Sequence, residues 1–285
     1  PVRLRKTDIN YINKYWGACE DKSAPTLEKI HNKYYLRFSF TETVTLSDTP
    51  IAEQIICAVD LGINTDAVCS IMKADGTILA RKFIDFTSDK DRMIHAMNRT
   101  RRKQSKYGPK SARNLWAYVK RLNEDRAKKI SAAIVEFASQ HSVDAIVMEH
   151  LDFKGCKKRG SKAQRLSMWN HGIIREKVEQ KAHLLGIRIA TICAWKTSAL
   201  AFDGSGSVTR DDNNHALATF TTGKQYNCDL SASYNIGARY FIRELLKSLP
   251  ATEESRVKAK VPDAGRRTSC TLSTLRMLVK ELSAA

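Results

Sequence analysis

Three acidic residues stand where acids are costly. Asp60 ends the apolar run Ile55-Ile56-Cys57-Ala58-Val59, Glu149 ends Ala145-Ile146-Val147-Met148, and Asp229 opens the helical stretch from Leu230 to Tyr240. A carboxylate held among apolar neighbours needs a compensating cation. Three acids from distant segments suit Mg²⁺, which takes a few carboxylates and keeps several waters. Two such ions roughly 4 Å apart activate a water and stabilise the leaving oxygen of a phosphodiester. The rest of the chain favours a polyanion partner, with 48 Lys and Arg against 30 Asp and Glu and a formal charge of +18. Metal-assisted phosphodiester hydrolysis, without a side-chain nucleophile, is the chemistry implied.

Each acid also has a plainer reading. Asp60 could cap the turn Leu61-Gly62-Ile63-Asn64, Glu149 could be a solvent-facing strand end, and Asp229 is an ideal helix N-cap by position. Gly62 favours function at Asp60, because a glycine just after the acid lets backbone or substrate come close. His150 is adjacent to Glu149, but strand alternation turns it to the other face of the sheet.

The elements that must position these acids can be read from periodicity. Strands are expected at 55–60, 67–73 and 77–86, with the hairpin signal Asp75-Gly76 between the last two. Helices follow at about 88–105 and 111–140, broken at Tyr107-Gly108-Pro109. Then come strand 144–149, a basic loop at 152–168, helix 170–185, strand 187–193, a polar insert at 196–226 and helix 229–249. Residues 251–266 read as a polar, mobile tail before a weak last helix at 268–282. The order β-β-β-α-β-α-β-insert-α predicts an α/β fold: an RNase H-like mixed five-stranded sheet with flanking helices. Right-handed crossovers place strand 144–149 beside strand 55–60, so Asp60 and Glu149 share one sheet edge. Residues 1–50 hold one clear alternating strand, Tyr34 to Phe40, and are taken as the end of a β-rich segment.

Composition bounds the rest. A chain of 285 residues, 42% hydrophobic, can build a full core. Seven cysteines, with no Cys-x-x-Cys pair, fit a reducing cytoplasm rather than a disulfide framework. No run nears the roughly 18 apolar residues of a membrane span, so no membrane partner is expected. The chain begins Pro-Val-Arg without an initiator Met, and we expect upstream domains.

The string Ala58-Val59-Asp60-Leu61-Gly62-Ile63-Asn64 resembles the first motif of RuvC-type nucleases, and more narrowly of TnpB and its descendants, the type V CRISPR effectors. Val147-Met148-Glu149-His150-Leu151 resembles their second motif and Asn227 to Ile236 their third. Arg121 to Arg126 and Trp195-Lys196-Thr197-Ser198 are similar to stretches of the same family, so the resemblance covers about residues 55–245. It implies an RNA-guided DNA endonuclease of the prokaryotic cytosol. Asp60, Glu149 and Asp229 become the catalytic, metal-holding triad, Mg²⁺ the cofactor (with Mn²⁺ able to substitute), and a guide RNA and target DNA the partners. Further copies or upstream domains of the same protein are possible partners as well. The implied domains are the end of a wedge-like nucleic-acid-binding domain at 1–50, the nuclease core at 51–195 and 227–250, an insert at 196–226 that loads the target strand, and a polar linker with a C-terminal helix at 251–285.

The insert departs from the family. Where the family carries a zinc ribbon, the aligned positions are Ala201, Gly204, Thr219 and Thr222, none of which can ligate zinc. No zinc is expected. The run Phe202 to Asp211 reads instead as a flexible loop ending near Arg210, which is suited to a phosphate.

Nucleic-acid contacts are expected from two basic clusters. Residues 99–129 carry twelve Lys and Arg against Glu124 and Asp125 alone, with Arg99, Arg101, Arg102, Lys103 and Lys106 as the densest group. Residues 154–165 carry six and no acid, Lys158 and Arg159 among them. Such contacts give affinity without reading sequence, as suits a protein that delegates sequence to a guide. Trp116, Tyr118 and Trp169 fit core packing better than base stacking. Two alternatives stay open: a guided DNA-binding protein that cuts little or not at all, and a stand-alone resolvase or recombinase.

Overall fold

The computed structural model describes residues 3–17, 19, 22–30, 32–39, 41–151, 168–212, 214–266 and 268–284. Contacts divide the chain into two units, Pro1–Thr45 and Leu46–Ala285. The first holds helix α1 (Lys6–Tyr15) and an antiparallel hairpin of β1 (Thr26–Ile30) and β2 (Lys33–Arg37). Helix α1 buries none of its residues, and the unit's packing centres on Trp16 edge-on against Phe38, 5.4 Å between ring centroids.

The second unit is built on a five-stranded sheet. Its strands are β3 (Ile55–Asp60), β4 (Ala67–Lys73), β5 (Ile78–Ile84), β6 (Ala145–His150) and β7 (Arg188–Cys193), in spatial order β5-β4-β3-β6-β7. The β3–β4 and β4–β5 pairs are antiparallel, and β3–β6 and β6–β7 are parallel. Parallel neighbours need crossovers, which helices α2 (Thr87–Tyr107), α3 (Arg113–Gln140) and α4 (His171–His183) supply. This is an RNase H-like α/β fold, as the element order predicts.

Both faces of the sheet are covered, so β3 reads as a continuous apolar run. Cys57, Val59, Ile146 and Met148 pack against α3 and α4 through Ile130, Ile134, Ile174 and Val178. Ile56, Ala58, Ala145 and Val147 pack on the opposite face against helix α5 (Cys228–Ser248). Helix α5 is buried almost all round, and its small residues let it lie close to the sheet. A Cβ on Gly237 would stand 2.9 Å from the Met72 Cε and 3.2 Å from the Ala58 Cβ.

Two sequence expectations need correction. The insert is not simply a flexible loop. It folds into a small antiparallel sheet of β8 (Thr209–Arg210), β9 (Leu217–Thr219) and β10 (Gln225–Asn227). Ala201, Ala218, Phe220 and Cys228 form its own buried centre, joined by the ring of Phe202. The stretch after residue 250 is not a mobile tail either. Helix α6 (Ala251–Lys260) and a 3-10 turn at Pro262–Gly265 bury Val257, Val261 and Ala264. Those three, spaced by four and three, form a narrow apolar stripe hidden in a charged background. The last helix, α7 (Leu272–Ser283), is anchored by a capping box between Thr271 and Thr274 and buries Leu272, Leu275 and Leu278. No helix among the described residues is long and apolar enough to cross a membrane.

Candidate active site

Register and alternation bring the first two acids together. Val59 lies opposite Met148 in the parallel ladder, so Asp60 and Glu149, one residue on, reach the same end of the sheet. Ile56, Ala58, Ala145 and Val147 face α5. By the period of two, Asp60 and Glu149 point to that face as well. Helix α5 begins there and presents Asp229 in its first turn. Asp229 is not the N-cap: Asn227 caps the helix by accepting from the Leu230 N–H at 2.8 Å, which leaves the Asp229 carboxylate available. All three acids line one cleft of about 380 Å³, with Thr65, Thr197, Arg210 and His215 among its other walls.

The turn after β3 fixes the near wall. A Cβ at Gly62 would collide with the carbonyl oxygen of Thr65, so the turn closes only with glycine there. Thr65 lines the cleft with Asp229 and opposes the rise of its carboxyl. Asp66, 1% exposed, ends the turn in a charged anchor: it pairs with Arg126 and with Lys90, and accepts from the Phe86 N–H at 2.8 Å.

The far wall is the segment after β7. The Thr197 hydroxyl donates to Glu149. That segment is tied down from α5. Asn235, fully buried, donates to the carbonyls of Thr197 at 3.0 Å and Leu200 at 2.9 Å. Arg239 donates to the carbonyls of Cys193 and Trp195, each at 2.8 Å, and to those of Thr268 and Cys270. Arg210 reaches over from the insert and donates to the Ser198 hydroxyl at 2.8 Å.

The charges explain the chemistry. Burial pushes the Asp60 carboxyl well above the usual carboxylate range, and the neighbouring charges of Glu149 and Asp229 push it further, against Arg210. Burial also raises Glu149, opposed by the Thr197 hydroxyl and the charge of Arg239. Asp229 is raised by burial too, opposed by Arg210 and Thr65. Among the described residues, no three His, Cys, Asp or Glu side chains close on a single metal position. The donor set nevertheless fits a hard divalent cation, since it consists of carboxylate oxygens that repel one another across one cleft.

The basic residues are distributed unevenly. Arg210 is in the cleft. Arg99, Arg101, Arg102, Lys103 and Lys106 are exposed on the second half of α2. Lys90, on the first half, bonds the carbonyl of Asn64 in the turn. At 1.5 Å per residue, the cluster lies roughly 14–24 Å further along the helix axis, outside the cleft. Lys158 and Arg159 lie outside the described residues. Of the four insert positions compared with zinc ligands, Ala201 belongs to the insert's apolar centre, and a Cβ on Gly204 would stand 3.0 Å from the Ser273 Cβ of α7.

Thr65, Thr197, Asn235 and Arg239 were not marked as site residues by the sequence reading. The signal for two of them was present: Asn235 and Arg239, four apart, form a polar pair on a helix whose neighbours are apolar.

No protein-family model and no curated protein matches the sequence. Among solved structures, the chain is similar to Cas12f1 in a complex with sgRNA and target DNA, at 17% identity and a TM-score of 0.49 over 74% of this chain and 54% of that one. It is also similar to AacC2c1 in a binary complex with sgRNA, at 10% identity and 0.48 over 66% and 39%. The match to Thermus thermophilus RuvC has 10% identity and a TM-score of 0.36 over 67% and 96%. The match thus spans about half, 54%, of the Cas12f1 chain. Sheet order, strand directions and helix placement give this chain an RNase H-like fold, with three carboxylates gathered at one end of its central strands.

Proposed function

We propose that this chain is the RuvC-type nuclease part of an RNA-guided DNA endonuclease, of the kind found in TnpB and the type V CRISPR effectors. The observation that carries this reading is the meeting of Asp60, Glu149 and Asp229 in one cleft, beside Arg210, in a chain of formal charge +18. Motif order along the sequence supports the narrower family.

The three carboxylates would hold Mg²⁺, with Mn²⁺ able to replace it. Bound there, the metal supplies water activation and charge stabilisation at the leaving oxygen of the scissile phosphodiester. The protein's own groups do the positioning. Thr197 orients Glu149 through its hydroxyl, and Thr65 stands beside Asp229 in the cleft wall. Arg210 offers a guanidinium to a phosphate oxygen at the cleft mouth. The cluster Arg99, Arg101, Arg102, Lys103 and Lys106 holds a nucleic-acid backbone away from the chemistry, and Lys158 and Arg159 contact nucleic acid as well. The guide RNA supplies sequence selection and target DNA is the substrate. The insert, packed around apolar residues, needs no zinc.

The test is to sequence nucleic acid that copurifies with the protein and then assay matching DNA with Mg²⁺. A discrete RNA, and cutting that Asp60→Ala abolishes, is the expected result. Cutting that survives Asp60→Ala refutes the site. A discrete RNA with no cutting supports the guided binding protein instead. Stoichiometric zinc in bulk metal analysis would overturn the reading of the insert.

A further inference from the structure

The segment Cys193–Ser198 separates two concavities. Ala194, Thr197 and Ser198 line the carboxylate cleft. Cys193 lines a second one of about 390 Å³, together with Arg239, Arg243, Lys247, Lys258 and Glu254. Four cations line it, against Glu254 in the lining and Glu244 paired with two of them, which leaves the hollow a net positive charge. Glu244 pairs with Arg243 at 2.6 Å and Lys247 at 3.3 Å, and Glu254 with Lys258, while the hydrogen bonds of Arg239 go to backbone carbonyls.

Trp195 stands on the dividing segment and is 64% exposed, whereas Trp16, Trp116 and Trp169 are each half-buried. An indole in water forgoes a large burial gain, so its exposure calls for a reason. Its backbone is held firmly. The Trp195 carbonyl accepts from buried Arg239, and Lys196 after it is locked at φ 59°, a left-handed conformation rare for lysine. Trp195 lies two residues from Cys193 of the hollow, and its carbonyl is bonded by Arg239 of the same hollow. Exposed aromatics set near cations are how proteins hold single-stranded nucleic acid without reading its sequence.

We propose that Trp195 and the basic hollow form a binding site for the single-stranded DNA that flanks the scissile bond. One base stacks on the indole, and the adjoining phosphates meet Arg243, Lys247 and Lys258. The proposal deepens the nuclease reading and rests on it for the identity of the strand.

A fluorescein-labelled oligodeoxythymidylate, titrated into the full 285-residue chain in EDTA, tests this without cutting. Trp195→Ala should weaken binding about tenfold, and Trp195→Phe should retain most of it. Lys247→Ala with Lys258→Ala should lessen the slope of log affinity against log salt by about 1.4, or roughly 0.7 per phosphate. Quenching of tryptophan emission by the oligonucleotide, lost in Trp195→Phe, reports the stack in a second way should Trp195→Ala melt early. Unchanged affinity in Trp195→Ala, equal losses in the Phe and Ala variants, or tighter binding of oligouridylate would each overturn the proposal. Trp195-dependent binding by a protein that never cuts DNA leaves this site standing and refutes the nuclease reading alone.

Discussion

The two ends of β3 and β6 both carry acids, and the protein treats them oppositely. At the starting end, Asp144 accepts from the Ser47 hydroxyl at 2.6 Å, the Thr49 hydroxyl and the Ile55 N–H at 2.8 Å, tying the starts of β3 and β6 together. Burial alone would raise its carboxyl, but these donors and the charge of Arg188 bring it below the usual range. At the finishing end, Asp60, Glu149 and Asp229 are all raised, and the charges of the other two add to the rise at Asp60. An acid whose partners come from the protein serves the fold. Acids left to repel one another in a cleft are poised for a cation from solution.

The largest expected break in that contrast is Asp60→Asn. Mg²⁺-dependent cleavage should fall at least about a thousandfold in a single-turnover assay, consistent with loss of a group that works only as part of a set. Mg²⁺ should also raise the melting temperature of the wild type more than that of the variant.

Removing the satisfied acid should do the reverse. Asp144→Ala should cost about 2 kcal/mol in urea unfolding, a figure discounted for partial exposure, because Ser47, Thr49 and the Ile55 N–H lose their acceptor. Cleavage per folded molecule should persist. The sign with pH follows from the depressed carboxyl. Its stabilisation is full above the unfolded value of about 3.9 and is lost as pH falls through the folded one. Asp144→Asn should therefore flatten the loss of stability below about pH 4.

Thr197→Val keeps shape but removes the donor to Glu149. We expect cleavage to drop about tenfold, with stability changed by about 1 kcal/mol or less. An unchanged rate would show that Glu149 is oriented by something else. The smallest effect belongs to the distant cluster. Arg102→Ala with Lys103→Ala should weaken duplex binding and lessen its salt slope by about 0.9 per phosphate contact, leaving the rate at saturating DNA unchanged.

Much of the core was readable because its signals are local. Apolar runs gave β3 and β6, Asp75-Gly76 marked the β4–β5 hairpin, and the break at Gly108-Pro109 separated α2 from α3. The stretch just after Pro250 was misread because α6 owes its order to burial of Val257, Val261 and Ala264, a thin stripe in a charged sequence, whereas the last helix was expected. The insert was misread because three strands of two or three residues carry almost no periodicity. Its stability comes from Phe202, Phe220 and Tyr226 meeting across the chain. Asn227 rather than Asp229 as the cap of α5 was a local error, since both residue types suit that position.

The sequence by itself determined which acids end which elements, and the period of two then put Asp60 and Glu149 on one face. Position at a strand end did not separate Asp60 from Asp144; only Gly62 and the motif around it favoured Asp60. What surrounds each acid is tertiary. Asp144 finds its hydroxyl donor 97 residues away in Ser47, whereas Asp60 finds two more carboxylates. An acid's role depends on the charge and hydrogen bonds around it, and the fold alone decides which groups arrive there.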